Sequence, residues 1–175
     1  STADKYLTLS SSSIVELFTG SGQTETASVT STADLTTVTV QLTEFQRHSI
    51  LVHSSQAPNG DLHSPTLDVD FGVFTDIGQV SNTALDGIII SEVVDTVLPT
   101  ILGCRLNFSD GFLQLYSSEH LDLTPTSNVD LSKLYLSDAS GAKTISLSGS
   151  TVHNTANERI ITMTLTESAR SSALL

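Results

Sequence analysis

The sequence predicts an all-β protein, and three observations carry that expectation. Apolar and polar residues alternate with period two in one segment after another. No stretch of twelve or more residues keeps a clean 3.6-residue period, and Asp110-Gly111 falls between two apolar runs in LNFSDGFLQLY. Alternation places the apolar members on one face of an extended chain, which suits a strand with one side in a core and the other in water. An Asp-Gly pair between such runs is the strongest short-range signal of a β-hairpin.

In chain order, the alternating segments are residues 6–10, 37–42, 66–71, 133–137, 144–148 and 161–165. Two further segments read as short helices and are nearly the same segment. Residues 42–51, LTEFQRHSIL, and 165–174, LTESARSSAL, share Leu, Thr, Glu, Arg, Ser and Leu at matching places. Thr43 and Thr166 are the expected N-caps, and Glu44 and Glu167 place negative charge where the helix dipole favours it. The likeness extends backwards, because KYLTL at 5–9 parallels KLYLS at 133–137 with an indel of about five residues between. A period of about 125 residues therefore runs through the chain, longer than a solenoid unit and suited to a whole domain.

That period divides the chain into residues 1–94, the later part of one module, and 95–175, the earlier part of the next, joined at Asp95-Thr96-Val97-Leu98-Pro99. The first copy lacks what precedes its KYLTL strand, and the second lacks a counterpart of residues 67–94. Either the chain is a segment of a longer polypeptide, or the two partial modules complete one sandwich or pair with neighbouring subunits by strand exchange.

Composition excludes several functions. The 175 residues carry 19 acidic side chains against 7 basic ones, a formal net charge of -12. The basic surface that nucleic acid or anionic lipid demands is absent. The longest apolar run, at 88–90, is far too short to cross a bilayer. No basic, then apolar, leader opens the sequence, so a signal peptide is expected to have been removed or to lie outside it. Ser and Thr make up roughly 30% of the chain and Trp is absent. With abundant Val, Ile and Leu interleaved, this is not a disordered composition. The acidic and hydroxyl excess is the outward half of an alternating strand pattern, with surface hydration as its role.

The run DTVLPTILGCRLNFSDGFLQLYSSEHLD, followed by VDLSKLYLSD, SLSG and ITMTLTESARSSAL, resembles the tandem immunoglobulin-like repeats, cadherin-like or bacterial-Ig-like, of very large cell-surface and filament proteins of heterokont algae and bacteria. Residues 68–82, DVDFGVFTDIGQVSN, resemble the penultimate element of that repeat, so the likeness covers nearly the whole chain in broken order. It departs at Cys104 and in the insert SSQAPNGDLHSP at 54–65. The resemblance implies immunoglobulin-like β-sandwich modules in tandem, with a short helix in each repeat. It also implies a structural component of an extracellular filament, a mastigoneme-like flagellar hair or a cell-surface coat. The expected partners are copies of itself or related modules in a polymer. The alternative is an adhesin or lectin-like module whose loop 54–65 holds a glycan or protein ligand. Absence of Trp, and Phe residues mostly in core phase, count against sugar stacking.

Candidate sites are few. His48, His53, His63, His120 and His153 fall singly, with no GxSxG elbow, and GSGQTE and GAKT lack phosphate-loop spacing, so no enzyme is expected. One Cys without paired His spacing argues against zinc. Calcium is the one cofactor the sequence leaves open. Asp68 and Asp70 share a strand face, Asp76 follows closely and Asp95 stands at the module junction, and carboxylate oxygens are its ligands; otherwise these are solvated aspartates. Asn107-Phe108-Ser109 is the sole N-glycosylation sequon, beside the predicted turn, and attached glycan is the alternative to a plain turn residue. Cys104 is a buried apolar residue, a free thiol or an intermolecular disulfide. Lys5 and Lys133 occupy equivalent repeat places, where an isopeptide bond competes with simple edge protection.

Overall fold

The computed structural model describes residues 7–10, 14–16, 26–31, 33–34, 36–57 and 60–174, the first two segments by their backbone alone. Lys5 and the GSGQTE segment at 20–25 lie outside the described residues. The chain divides into two compact units, Ser1–Thr96 and Val97–Leu175. Both are rich in strand, arranged in small antiparallel sheets with one short α-helix in each unit among the described residues.

The first unit contains β1 (Leu7–Ser10), β2 (Ile14–Glu16), β3 (Ser28–Val29), β4 (Val40–Gln41), α1 (Glu44–Leu51), β5 (Thr66–Val69) and β6 (Leu85–Ile89). Four strands pair in the order β2-β1-β5-β6, and β3 pairs with β4 alone. Thr66–Val69 forms as its alternation predicts, with Leu67 opposite both Leu9 and Ile88. The turn structure beyond it is held by Asn82, whose side chain donates to the Asp70 carbonyl at 2.8 Å and accepts from the Phe74 N–H at 2.7 Å. Helix α1 begins at a reciprocal cap. The Thr43 hydroxyl accepts the Gln46 N–H, and the Gln46 side chain accepts the Thr43 N–H at 3.0 Å, satisfying two donors that the first turn leaves orphaned. Ala27 and Val69 are buried, with Val40, Leu42, Ile50, Leu67, Ile88 and Ile90 packed around them.

The second unit contains β7 (Ile101–Asn107), β8 (Phe112–Leu121), β9 (Tyr135–Ser137), β10 (Lys143–Ser146), β11 (Thr151–Val152), β12 (Glu158–Thr164) and α2 (Glu167–Ser172). Its main sheet runs β11-β12-β8-β7, and β9 pairs with β10. The hairpin expected at Asp110-Gly111 joins β7 to β8 with Asn107 opposite Phe112. Gly111 sits at φ 73°, a left-handed conformation that glycine reaches at no steric cost. Leu113, Leu123, Leu147, Ile161, Met163, Leu165 and Ala169 make the core, and Leu134, Leu136 and Ile145 pack against it from the β9 and β10 side.

Two sequence expectations change in detail. Of the alternating stretch 37–42 only Val40 and Gln41 pair as strand, and the start of 133–137 is taken up by a 3-10 turn, Leu131–Lys133, closed by the Asp130 side chain on the Ser132 N–H. Phe residues also depart from the core phase assigned to them. Phe45, Phe71, Phe74, Phe108 and Phe112 are all exposed. Phe112 takes the outward phase of β8 while Leu113 turns inward, Phe108 lies in the hairpin turn, and Phe45 is on the outer side of α1.

Candidate functional site

A pair of ladders, one in each unit, positions the most informative surface of the molecule. In the first unit Ser28 faces Gln41 and Val29 faces Val40. In the second, Thr151 faces Thr164 and Val152 faces Met163. Each residue of the second ladder stands 123 positions after its counterpart, Thr151 after Ser28 and Thr164 after Gln41. The surrounding bonds keep the same offset. Thr30 N–H donates to the Thr39 carbonyl as His153 N–H donates to that of Thr162, each at 2.9 Å. The N–H of Thr39 goes to the Ser31 hydroxyl, and that of Thr162 goes to the Asn154 side chain, each at 2.8 Å. The capping threonines Thr43 and Thr166 and the ion pairs of Glu44 with Arg47 and of Glu167 with Arg170 follow at that spacing.

The two ladders differ in what lies beside them. On the far side of β12 runs β8, with Leu115 opposite Ile161 and Leu113 opposite Met163. Ile161 is 7% exposed and Met163 is 0%. The matching residues of the first unit are Val38 and Val40. Val38 is 45% exposed and Val40 half-buried, and β4 has β3 as its one partner among the described residues. Against β4 lies a groove of about 470 Å³, whose walls include Val38, Val40, Leu42, Leu67 and Ile90, with Arg47 and Glu92 among its polar members. It is an apolar seat rimmed by a guanidinium, a shape that fits an extended chain pairing by its backbone.

No protein-family model matches the chain, and neither a curated protein nor a solved structure matches it.

The residues singled out as calcium ligands each meet a protein partner. Asp68 accepts the Gly87 N–H at 2.6 Å, Asp76 accepts the Val80 N–H at 2.8 Å within its own turn, and Asp95 pairs with Arg47 at 2.7 Å. Asp70 offers its backbone carbonyl to Asn82. Among the described residues no three His, Cys, Asp or Glu side chains gather as a metal site. Asn107 is exposed at the hairpin turn, donating to Asp110 and accepting the Ser109 N–H. Cys104 is an exposed free thiol on β7, opposite Leu115.

Sequence reasoning missed Glu92, because its partners are 37 and 38 residues away. Its carboxylate accepts the Ser54 hydroxyl, the Ser55 hydroxyl at 2.7 Å and the Ser55 N–H at 3.2 Å. Burial opposes the charge of Glu92, but donors from Ser54, Ser55 and Ser64 more than offset it and hold the carboxyl below the ordinary glutamate range. Nearby, the His63 N–H and the His53 ring lower the pKa of Asp61. The insert at 54–65 is thus pinned at both ends by carboxylates. The Ser31 and Asn154 side chains were equally unreadable, since polar residues in β-rich sequences ordinarily face water, whereas Gln46 completes a cap that its spacing of three from Thr43 makes legible.

Proposed function

We propose that the chain is a structural component of an extracellular filament, flagellar hair-like appendage or cell-surface coat, built from tandem immunoglobulin-like sandwich modules that pair by their strands. One observation carries this reading: the two units hold complementary halves of one strand order. The first unit has a full β2-β1-β5-β6 sheet and a two-stranded β3-β4 remnant; the second has a full β11-β12-β8-β7 sheet and a two-stranded β9-β10 remnant. Matching the units through their common ladders gives eight strands in two four-stranded sheets. Lettered in chain order, with β7 and β8 as A and B, β9 and β10 as C and C′, β11 and β12 as D and E, and β5 and β6 as F and G, those sheets are ABED and C′CFG. An immunoglobulin sandwich with an added C′ strand would have that partition, which supports the reading.

On this reading the role is mechanical rather than catalytic, attached sugar sits on Asn107, and the acidic exterior keeps the polymer hydrated. Negative-stain microscopy of native material, with an antibody against this chain, tests it. Regular labelling along a filament or coat is the expected result; label confined to soluble monomers refutes it. The second reading, an adhesin or lectin-like binding module, draws on the exposed Phe45, Phe71 and Phe74 of the first unit, whose faces suit a sugar ring.

A further inference from the structure

We propose that the groove along β4 is the seat of a β8-type strand, donated antiparallel to β4 by a polypeptide segment carrying a hairpin like that of β7 and β8. The proposal rests on the module reading and names the partner that such a module requires. Its warrant is an interface already present in the second unit. There, β8 lies against β12 in the position that no described strand fills beside β4, and it covers Ile161 and Met163, the counterparts of Val38 and Val40.

Backbone direction agrees. In an antiparallel strand, successive residues point their N–H and C=O groups to opposite neighbours. Thr162 bonds toward β11, so Ile161 and Met163 bond toward β8. Thr39 bonds toward β3 through its carbonyl, so Val38 and Val40 turn theirs to the open side. A strand edge with outward N–H and C=O groups is a template for pairing with another chain, and an incoming strand supplies their partners while covering the two valines.

The ends of the seat are defined as well. At the hairpin turn of the second unit, Leu165 N–H donates to the Gly111 carbonyl at 2.9 Å, and Arg170, besides its pair with Glu167, donates to the Phe108 carbonyl at 2.8 Å. Leu42 and Arg47 hold the corresponding places and both line the groove, the Arg47 nitrogen that matches the one donating to Phe108 being paired with Asp95. The donated segment therefore has apolar residues at two alternate positions, to meet Val38 and Val40 as Leu115 and Leu113 meet Ile161 and Met163. A turn with a carbonyl placed to reach the Leu42 amide precedes the strand by one residue, as Gly111 precedes Phe112. That turn has glycine where Gly111 stands, because a Cβ there meets the arginine side chain at 3.3 Å.

The test appends a second copy of residues 97–122, with Cys104→Ser, to the N-terminus of the full chain through a flexible Gly/Ser linker, which raises its effective concentration to the millimolar range. Amide hydrogen exchange of Val38, Val40 and Leu42 is then read by NMR. Exchange slowed at least about tenfold relative to the unextended chain is expected, since a paired amide exchanges only on opening. An appended copy carrying Leu113→Asp and Leu115→Asp leaves the three amides unprotected. Ile161 and Met163 keep their protection in both proteins, which reports that the second unit is intact. Unchanged exchange with the native-sequence copy, or equal protection by the aspartate copy, overturns the proposal. Protection in the unextended chain at high concentration, with a dimer mass by light scattering, overturns it too, by giving the seat to a second copy. A labelled filament without this protection sinks the strand donation alone; protection without any filament sinks the filament reading alone.

Discussion

Met163 and Val40 occupy matching places on β12 and β4, and truncating each to alanine should give sharply unequal costs. Met163 is fully buried and faces Leu113 across the ladder. Removing its side chain beyond Cβ forfeits transfer energy and leaves a cavity, a combination that costs about 2–5 kcal/mol for a buried Met, Leu or Ile. In a unit the size of Val97–Leu175, each kcal/mol moves the melting point by about 4–8 °C, so Met163→Ala should lower it by at least about 8 °C. Val40 loses two carbon groups on truncation, worth about 1.6 kcal/mol if fully buried at about 0.8 each. Val40 is partly rather than fully buried, so Val40→Ala should cost about 1–1.5 kcal/mol. Urea titrations followed through the amide signals of Leu113 and Val69 report the two units separately. A Met163→Ala cost below about 1 kcal/mol, or equal costs at the two sites, refutes the idea that one ladder is covered and its counterpart open.

Other consequences follow from single contacts. Thr166→Ala removes the acceptor of the Ala169 N–H and should destabilise the second unit by about 1 kcal/mol in urea, with Thr166→Ser restoring most of it; an unchanged midpoint contradicts the capping role. Because Glu92 has a folded pKa below the ordinary 4.5, its hold on the 54–64 loop contributes fully above that value and fades as pH falls through the lower folded one. Protection of the Ser55 amide, its exchange relative to an unstructured peptide at the same pH, should therefore fall on acidification below pH 4.5 in the native protein but stay low throughout in Glu92→Gln; identical protection profiles argue against the carboxylate clamp. Cys104, exposed on β7, should take up one equivalent of a maleimide without denaturant, and labelling that requires urea contradicts its exposure.

How much of this was legible depends on how far apart the deciding partners lie. Residues 161–165 read correctly as strand because β12 has its neighbours on both sides, and its inward residues are buried where alternation places them. Residues 37–42 carry the same signal, but with one neighbour only Val40 and Gln41 are held as strand. Both helices were visible because their caps are local, the threonine and the residue it serves being three apart. The Glu92 clamp joins residues 37 and 38 apart, through serines that sequence alone assigns to solvent. The Phe residues, expected mostly in core phase, are exposed at Phe112 for another reason: period two fixes which residues share a face, not which face is inside. The strand orders of the two units came from pairing between residues far apart in the chain, which the sequence repeat does not specify.

A density map of the native assembly at a resolution that separates strands tests the central claim most directly. The predicted result is a run of sandwich modules in which two four-stranded sheets face each other and a strand lies hydrogen-bonded against Val38 and Val40. A map in which β4 remains an open edge, or in which this chain stands outside any polymer, contradicts it.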